Sequence, residues 1–191
     1  MKNSHDLKEV FMRITPENCI TIAVDYQTRL VPAMAHEREL IHNSRILLQG
    51  LRVLDVPVLV SQQYTKGLGE TVPEIRELVA DCPVFDKITF SCWQNDAIRE
   101  AVIASGRKTV IICGIESHVC ALQTVIDLCA DGYQVLFVED CVDSRKDSDK
   151  ATALRRAEKE GAILTSYEAL LFELTQIAGN ERFKKISALV K

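Results

Sequence analysis

The sequence lacks the features of several large classes of protein. Its 191 residues contain no apolar run close to the ~20 residues that a membrane-spanning helix needs. No apolar signal segment follows the polar N-terminus. The formal net charge is −4, and no basic stripe is present, which argues against a nucleic-acid partner. These absences predict a single globular domain over residues 1–191, with no membrane and no nucleic acid as its partner.

The chain also lacks the cysteine and histidine spacings that bind metals or form disulfide frameworks. Its seven cysteines are an odd number without any Cys-x-x-Cys pair, and its four histidines are scattered. This pattern favours a reducing compartment, and we therefore expect a cytoplasmic protein without a metal site. The first apolar run continues into Asp25-Tyr-Gln-Thr28 instead of a Gly-x-Gly-x-x-Gly turn, so no dinucleotide or other cofactor is expected.

Short β-branched runs alternate with segments of helical spacing along the whole chain. Strands are predicted at 19–24, 58–61, 84–87, 109–113, 134–139 and 162–166. Helices are predicted at 37–53, 95–105, 119–132, 147–160, 167–178 and 181–189, with shorter pieces within 1–18 and 73–80. This alternation predicts an α/β protein with three α-β-α layers. Its six-stranded, parallel, Rossmann-like sheet should have the order 3-2-1-4-5-6.

The stretch Thr109–Thr124 contains the main candidate for chemistry. An apolar strand leads to Gly114, which we expect to end it, and helical spacing begins at Val119. Cys120 should therefore lie at a helix N-terminus beside the carboxyl end of a central strand, where open α/β sheets bind ligands. The helix dipole there should lower the pKa of the thiol and favour a reactive thiolate. The alternative is an ordinary buried cysteine.

Two charged residues fall at the carboxyl ends of other predicted strands. Asp25 follows the first strand and Lys87 ends the third, so both should approach Cys120 at the same edge of the sheet. A carboxylate that takes the thiol proton, an ammonium that favours the thiolate and a thiol that attacks a carbonyl form a nucleophilic set. Taken singly, Asp25 could cap a turn and Lys87 could be a solvated lysine on an edge strand.

Three motifs resemble the isochorismatase-like cysteine hydrolases over about Ile20 to Tyr167. They are Val24-Asp-Tyr-Gln27, Lys87-Ile-Thr-Phe-Ser91 and Gly114-Ile-Glu-Ser-His-Val-Cys120. The resemblance implies a catalytic triad of Asp25, Lys87 and Cys120. It also implies a cis peptide bond between Ile115 and Glu116. The backbone N–H groups of Glu116 and Cys120 would then form an oxyanion hole.

Further stretches are similar to the isochorismatase-domain-containing subfamily. They are Gln63-Tyr-Thr-Lys-Gly-Leu-Gly-Glu-Thr-Val-Pro73 and Val138-Glu-Asp-Cys-Val-Asp-Ser-Arg145. Nicotinamidases of the wider family carry an Asp-x-His metal site after the second strand, where this chain has Ser61-Gln-Gln-Tyr-Thr65. Enzymes that cleave isochorismate itself lack the cysteine. The resemblance therefore implies neither metal-assisted nicotinamide binding nor isochorismate as the substrate.

We therefore predict a hydrolase that cleaves a carbon–nitrogen, amide-type bond of a small molecule through a thioester on Cys120. The candidates for lining its pocket are Gln27, Tyr64, Phe90 and Trp93, although large apolar residues more often serve packing. The family resemblance implies a homo-oligomer. Two alternatives stay open, a non-catalytic binding or scaffold protein and a redox-responsive thiol protein.

Overall fold

The computed structural model describes residues 13–191, and the helix expected within 1–18 lies mostly outside this range. A short 3₁₀ turn at Pro16–Asn18 leads directly into the first strand. The strands are β1 (Cys19–Val24), β2 (Val58–Gln63), β3 (Val84–Lys87), β4 (Thr109–Ile115), β5 (Gln134–Asp143) and β6 (Ile163–Thr165). The described chain thus contains the six strands that the sequence predicts, with β2, β4 and β5 longer than expected.

Eight α-helices connect and cover these strands in the described part of the chain. They are α1 (Glu37–Val53), α2 (Thr65–Leu68), α3 (Pro73–Arg76), α4 (Asp96–Ala104), α5 (Leu122–Ala130), α6 (Asp147–Lys159), α7 (Tyr167–Thr175) and α8 (Glu181–Leu189). The helix predicted over 73–80 is shorter than expected, and α7 ends at Thr175 because Gln176 has a positive φ of 64°. None of the helices in residues 13–191 is long and apolar enough to cross a membrane.

The strands form one sheet in the order β3-β2-β1-β4-β5-β6, with parallel pairing throughout. This confirms the predicted fold class. Successive residues of β1 and β4 face opposite sides of the sheet, so that Ile111 packs in one core and Ile112 in the other. Both faces are covered by helices, which explains why these strands are apolar runs rather than alternating patterns.

Two apolar cores hold the helices against the sheet. On one face, α1 and α7 bury Leu47, Leu51 and Leu171, together with Ile186 of α8. On the other face, α4 and α5 bury Ile98, Val102, Val125 and Leu128. The second core also contains Cys120, so the segment after β4 is anchored in packed apolar side chains rather than in a loose surface loop.

Gly114 does not end β4 as expected, because the strand continues to Ile115. The residue has a φ of 109°, and its register against β5 shifts at this point. A Cβ atom at Gly114 would lie 2.0 Å from the carbonyl oxygen of Val24. Only glycine therefore allows β4 to approach β1 this closely, immediately beside Asp25.

We predict that Gly114→Ala lowers the free energy of unfolding by roughly 3 kcal/mol or more, since backbone atoms block the new methyl group. Gly132→Ala is the matched control, because Gly132 also has a positive φ, of 80°, but no heavy atom lies within 4 Å of the position that its new methyl group would occupy. This control should cost only about 1 kcal/mol. Urea unfolding of both variants measures the difference, and equal losses would contradict the close approach of β4 to β1.

Candidate active site

Three strand ends bring together the three side chains that the sequence singles out. Asp25 directly follows β1, Lys87 is the last residue of β3, and Cys120 lies in a short π-helical segment, Ser117–Ala121, after β4. In the sheet, β1 lies between β2 and β4, where the direction of winding reverses. The side chains of Asp25 and Lys87 are fully buried there, and Cys120 is only 6% exposed.

Lys87 is surrounded by oxygen atoms. Its Nζ lies 2.8 Å from Asp25 Oδ2 and 2.7 Å from Gln63 Oε1. The backbone carbonyl oxygens of Phe90 and Thr89 lie at 3.1 and 3.3 Å from the same nitrogen. Burial by itself opposes the charge of Lys87, but attraction to the Asp25 carboxylate outweighs it and raises the pKa of the lysine. Lys87 is therefore a buried ammonium, not a solvated lysine on an edge strand.

Asp25 is held from both sides. Its Oδ2 accepts from Lys87, while Oδ1 accepts from the Ser61 hydroxyl at 2.7 Å. The backbone of Asp25 has a positive φ of 51°, which is unusual for a residue with a side chain and frequent at functional sites. Its backbone N–H donates to the carbonyl oxygen of Ser61 at 3.1 Å, so β2 supports both the backbone and the carboxylate.

The surroundings of Cys120 favour the neutral form of its thiol. Burial, followed by the negative charge of Asp25, raises the pKa of Cys120 well above its ordinary value, and the positive charge of Lys87 only partly offsets this rise. The pKa of Cys120 is therefore raised and not lowered as expected, with desolvation as the first cause and the carboxylate of Asp25 as the second.

The backbone before Cys120 has an unusual course. The peptide bond between Ile115 and Glu116 is cis, at the position that the resemblance implies. The carbonyl oxygen of Glu116 accepts from the N–H groups of Val119 and Ala121 at 3.0 and 3.2 Å. The Glu116 carboxylate binds the Arg145 guanidinium at 3.0 Å, which fixes this turn to the end of β5. An α-helix proper begins only at Leu122, so Cys120 precedes it.

The structure adds Ser61, Gln63 and Cys92 to the site, none of which the sequence singled out. Ser61 and Gln63 alternate with Gln62 along β2, which extends two residues beyond its predicted end. Gln63 Oε1 lies 4.0 Å from the Cys120 sulfur and bonds to Lys87, while the Cys92 sulfur lies 3.4 Å from Ser61 Oγ. The available signal was a run of three polar residues, Ser61, Gln62 and Gln63, directly after the apolar part of β2.

The four pocket candidates occupy different environments. Gln27 is fully buried, and its amide is held by the backbone of Gln63 and Gly69 at 2.6 to 3.0 Å, so it organises the loop after β2. The Trp93 ring contacts Tyr133 edge-to-face, and its N–H binds Asp131, which are contacts of a packing residue. Tyr64 and Phe90 are exposed by 49% and 54%.

A groove of about 450 Å³ lies beside the loop that carries Lys87's carbonyl partners. It runs between residues 89–94 and the outer face of α5, with Phe90, Ser91, Gln123 and Ile126 among its walls. Its size falls within the range of sites for small molecules. In residues 13–191, no three histidine, cysteine or acidic side chains form a group that could hold a metal ion.

The isochorismatase domain family matches residues 19–169 of this chain. The secreted isochorismatase effector Isc1 of Phytophthora sojae is 38% identical, over 94% of this chain and 87% of that protein. Isochorismatase domain-containing protein 1 of Salmo salar is also 38% identical, over 93% of this chain and 62% of that protein. The chain therefore belongs to the isochorismatase family, which confirms the resemblance inferred from its motifs.

Solved structures share the fold. The MAR1 ribonuclease of Caenorhabditis elegans superposes with a TM-score of 0.88 at 37% identity, covering 94% of this chain and 92% of the other. The YcaC gene product of Escherichia coli, described as an octameric hydrolase of unknown specificity, has a TM-score of 0.85 at 21% identity. That match covers 94% of this chain and 88% of the other, and at this identity it supports the fold alone.

We predict that Lys87→Met slows alkylation of Cys120 by iodoacetamide roughly tenfold or more at pH 8. Removing the ammonium leaves the Asp25 carboxylate unopposed, so that the thiol loses its proton only at higher pH. Peptide mapping by mass spectrometry follows Cys120 separately from the other six cysteines. The variant also leaves a buried carboxylate unpaired, at a cost of roughly 3 kcal/mol, so folding is checked by circular dichroism. An unchanged rate in the folded variant would contradict this arrangement.

Asp25→Asn should have the opposite effect on the same thiol. The substitution removes the carboxylate that raises the pKa of Cys120 and retains the charge of Lys87. We expect the midpoint of the pH–alkylation curve to fall, with roughly tenfold faster labelling at pH 8. Ser61→Ala serves as a control, because it removes a hydrogen bond to Asp25 without changing any charge. A curve that moves upward for Asp25→Asn would contradict the contact between Asp25 and Cys120.

Proposed function

We propose that this protein is a hydrolase that cleaves a carbon–nitrogen, amide-type bond of a small molecule, with Asp25, Lys87 and Cys120 as its catalytic triad. One observation carries the proposal. A fully buried Asp25–Lys87 pair lies near a thiol that is itself almost fully buried, and the Gln63 side-chain oxygen lies between Lys87 and the sulfur. A buried ion pair costs solvation energy, and a site that retains one beside a nucleophile is typical of catalysis.

The neutral thiol sets the order of the proton transfers. Asp25 takes the Cys120 proton as the sulfur attacks the substrate carbonyl, and the N–H groups of Glu116 and Cys120 receive the developing oxyanion. Collapse of this intermediate breaks the carbon–nitrogen bond, and protonated Asp25 gives its proton to the leaving amine. A thioester on Cys120 remains. Water then attacks the thioester, Asp25 takes the proton of that water, and the carboxylic acid leaves as the thiol is restored.

Lys87 stays charged through both halves of this cycle. Its contact with Asp25 at 2.8 Å stabilises the carboxylate that must accept a proton, and its positive charge favours the sulfur as a thiolate during attack. The groove beside Phe90 is the proposed route for the substrate, since the Phe90 carbonyl is also a partner of Lys87. Neither a cofactor nor a metal ion takes part in the proposed reaction.

The raised pKa of Cys120 also bears on the alternatives. Oxidation of cysteine begins with the thiolate, so a protonated, buried thiol disfavours a role as a redox sensor. A non-catalytic scaffold protein would have no need for the buried ion pair, whose solvation cost is several kcal/mol per ion. These arguments favour the hydrolase over both alternatives.

We further propose that the protein acts in the cytoplasm as a homo-oligomer. The cysteines of the described chain are all free, as a reducing compartment would keep them. Ile88 and Phe90 are exposed by 69% and 54% next to the site, and a second subunit would cover such side chains. The relative from Phytophthora sojae is named as secreted and the Escherichia coli neighbour as octameric. Fractionation and light scattering test location and assembly separately.

The test of the function is a panel of small primary amides, assayed for release of ammonia. We expect activity in the wild type and a loss of roughly 1,000-fold or more in Cys120→Ala, because the nucleophile is gone. Cys129→Ala is the matched control, since this thiol lies in α5 and has no contact with Asp25 or Lys87 in the described chain. Mass spectrometry of the quenched reaction should find an acyl group on Cys120.

Single-stranded RNA is included in the same assay, since the Caenorhabditis elegans relative is called a ribonuclease. Cleavage of RNA that requires Cys120, without turnover of any amide, would contradict the proposed function. Equal ammonia release by the wild type and Cys120→Ala would also contradict it.

A further inference from the structure

The amide group of Gln63 is fixed in one orientation. Its Nε2 donates to the carbonyl oxygen of Ile88 at 2.8 Å. The Gln27 side chain forms two hydrogen bonds with the backbone of Gln63. Its oxygen accepts from the Gln63 N–H at 2.7 Å, and its nitrogen donates to the Gln63 carbonyl oxygen at 3.0 Å. Since one end of the amide is bound to a carbonyl oxygen, the other end must be an acceptor. Gln63 Oε1 therefore faces Lys87 and Cys120 as an oxygen.

This oxygen takes part in a competition for the protons of Lys87. An ammonium group carries three protons, whereas four oxygen atoms lie within 3.3 Å of Lys87 Nζ. The contact with Gln63 Oε1, at 2.7 Å, is the shortest of the four. No N–H of Lys87 is thus left to donate to the Cys120 sulfur. The sulfur instead lies 4.0 Å from Gln63 Oε1, at the limit of a thiol hydrogen bond.

We propose that Gln63 is a positioning residue that keeps the resting Cys120 protonated, by occupying an N–H of Lys87 and by offering an acceptor to the thiol. The thiolate forms only when Gln63 Oε1 loses its contact with Lys87 or with the Cys120 sulfur. The inference goes beyond the proposed reaction, because it concerns the enzyme without substrate and holds whatever bond the site cleaves.

The charges around the sulfur make Gln63 the position at which a substitution can shift the pKa of Cys120 either upward or downward. Burial and the carboxylate of Asp25 raise the pKa of Cys120, and Lys87 from β3 lowers it; a thiolate at Cys92 would raise it further. Burial raises the pKa of Cys92 itself to about 11, so this thiol is neutral at physiological pH. Gln63, the last residue of β2, also lies beside the sulfur, and it carries no charge.

Two substitutions should therefore move the thiol in opposite directions. Gln63→Met keeps the length of the side chain but removes the shortest contact of Lys87. The lysine then keeps Asp25 and two longer contacts to backbone carbonyls, at 3.1 and 3.3 Å, with which the Cys120 sulfur can compete for an N–H. Gln63→Glu keeps the shape and adds a negative charge at a position 4.0 Å from the sulfur. Gln62→Glu is the matched control, because the amide of Gln62 faces away and bonds to Thr71 and Thr65 at 3.1 and 3.0 Å.

The experiment measures the rate of Cys120 alkylation from pH 6 to 11 in the full chain, by peptide mapping. We expect roughly tenfold faster labelling at pH 8 for Gln63→Met and roughly tenfold slower labelling for Gln63→Glu, or one pKa unit each way. Gln62→Glu should follow the wild-type curve. A residue with a purely structural role would change the melting temperature without separating the two pH curves.

The proposal is overturned if both Gln63 variants fold and keep the wild-type midpoint, or if Gln63→Met moves the midpoint upward. If neither variant folds, the pH–alkylation curve of the wild type is the test. A midpoint for Cys120 above the ordinary value of about 8.5 supports a protonated resting thiol, and one below it refutes the proposal. The amide panel is independent of this assay, so a failure of the proposed function leaves the inference standing.

Discussion

The buried ion pair between Asp25 and Lys87 is the interaction on which the rest of the site depends. Both side chains are fully removed from water, which costs several kcal/mol per ion unless the remaining protons and lone pairs are satisfied. The protein meets this cost with a hydroxyl group from Ser61, an amide oxygen from Gln63 and two backbone carbonyls after β3. The ends of β1, β2 and β3 are thereby held in one arrangement.

A second constraint, steric rather than electrostatic, brings β4 to this pair. Gly114 allows the backbone of β4 to lie against that of Val24, one residue before Asp25. The chain then turns through the cis peptide bond and the π-helical segment, and this turn places the Cys120 sulfur next to Asp25. Packing of the same segment in the apolar core excludes water, and this exclusion is also what raises the pKa of the thiol.

A protonated nucleophile has consequences for how such a site works. A preformed thiolate would react with any electrophile or oxidant that reached it, whereas a neutral thiol reacts when its proton has somewhere to go. Here the proposed acceptor, Asp25, lies near the thiol. In the proposed reaction, proton transfer to Asp25 is tied to attack on the substrate, and Gln63 is proposed to favour the protonated resting state.

The sequence alone was sufficient to predict the fold and the three central residues. Apolar runs at regular spacing predict parallel strands, and parallel strands bring their carboxyl ends to one edge, where Asp25, Lys87 and Cys120 then meet. The errors lie at strand ends, as at Gly114 and along β2, because local pattern does not register how closely a neighbouring strand approaches.

The tertiary structure decided the direction in which the pKa of Cys120 moves, and it brought Ser61 and Gln63 to the site. A helix N-terminus visible in the sequence favours a thiolate, and that reasoning about the pKa was wrong. Dipole, desolvation and ion pairing compete at distances of a few ångströms, and their balance depends on which atoms from β1, β2 and β3 surround the sulfur. These atoms are far apart along the chain, so only the packed structure determines which of the three effects prevails.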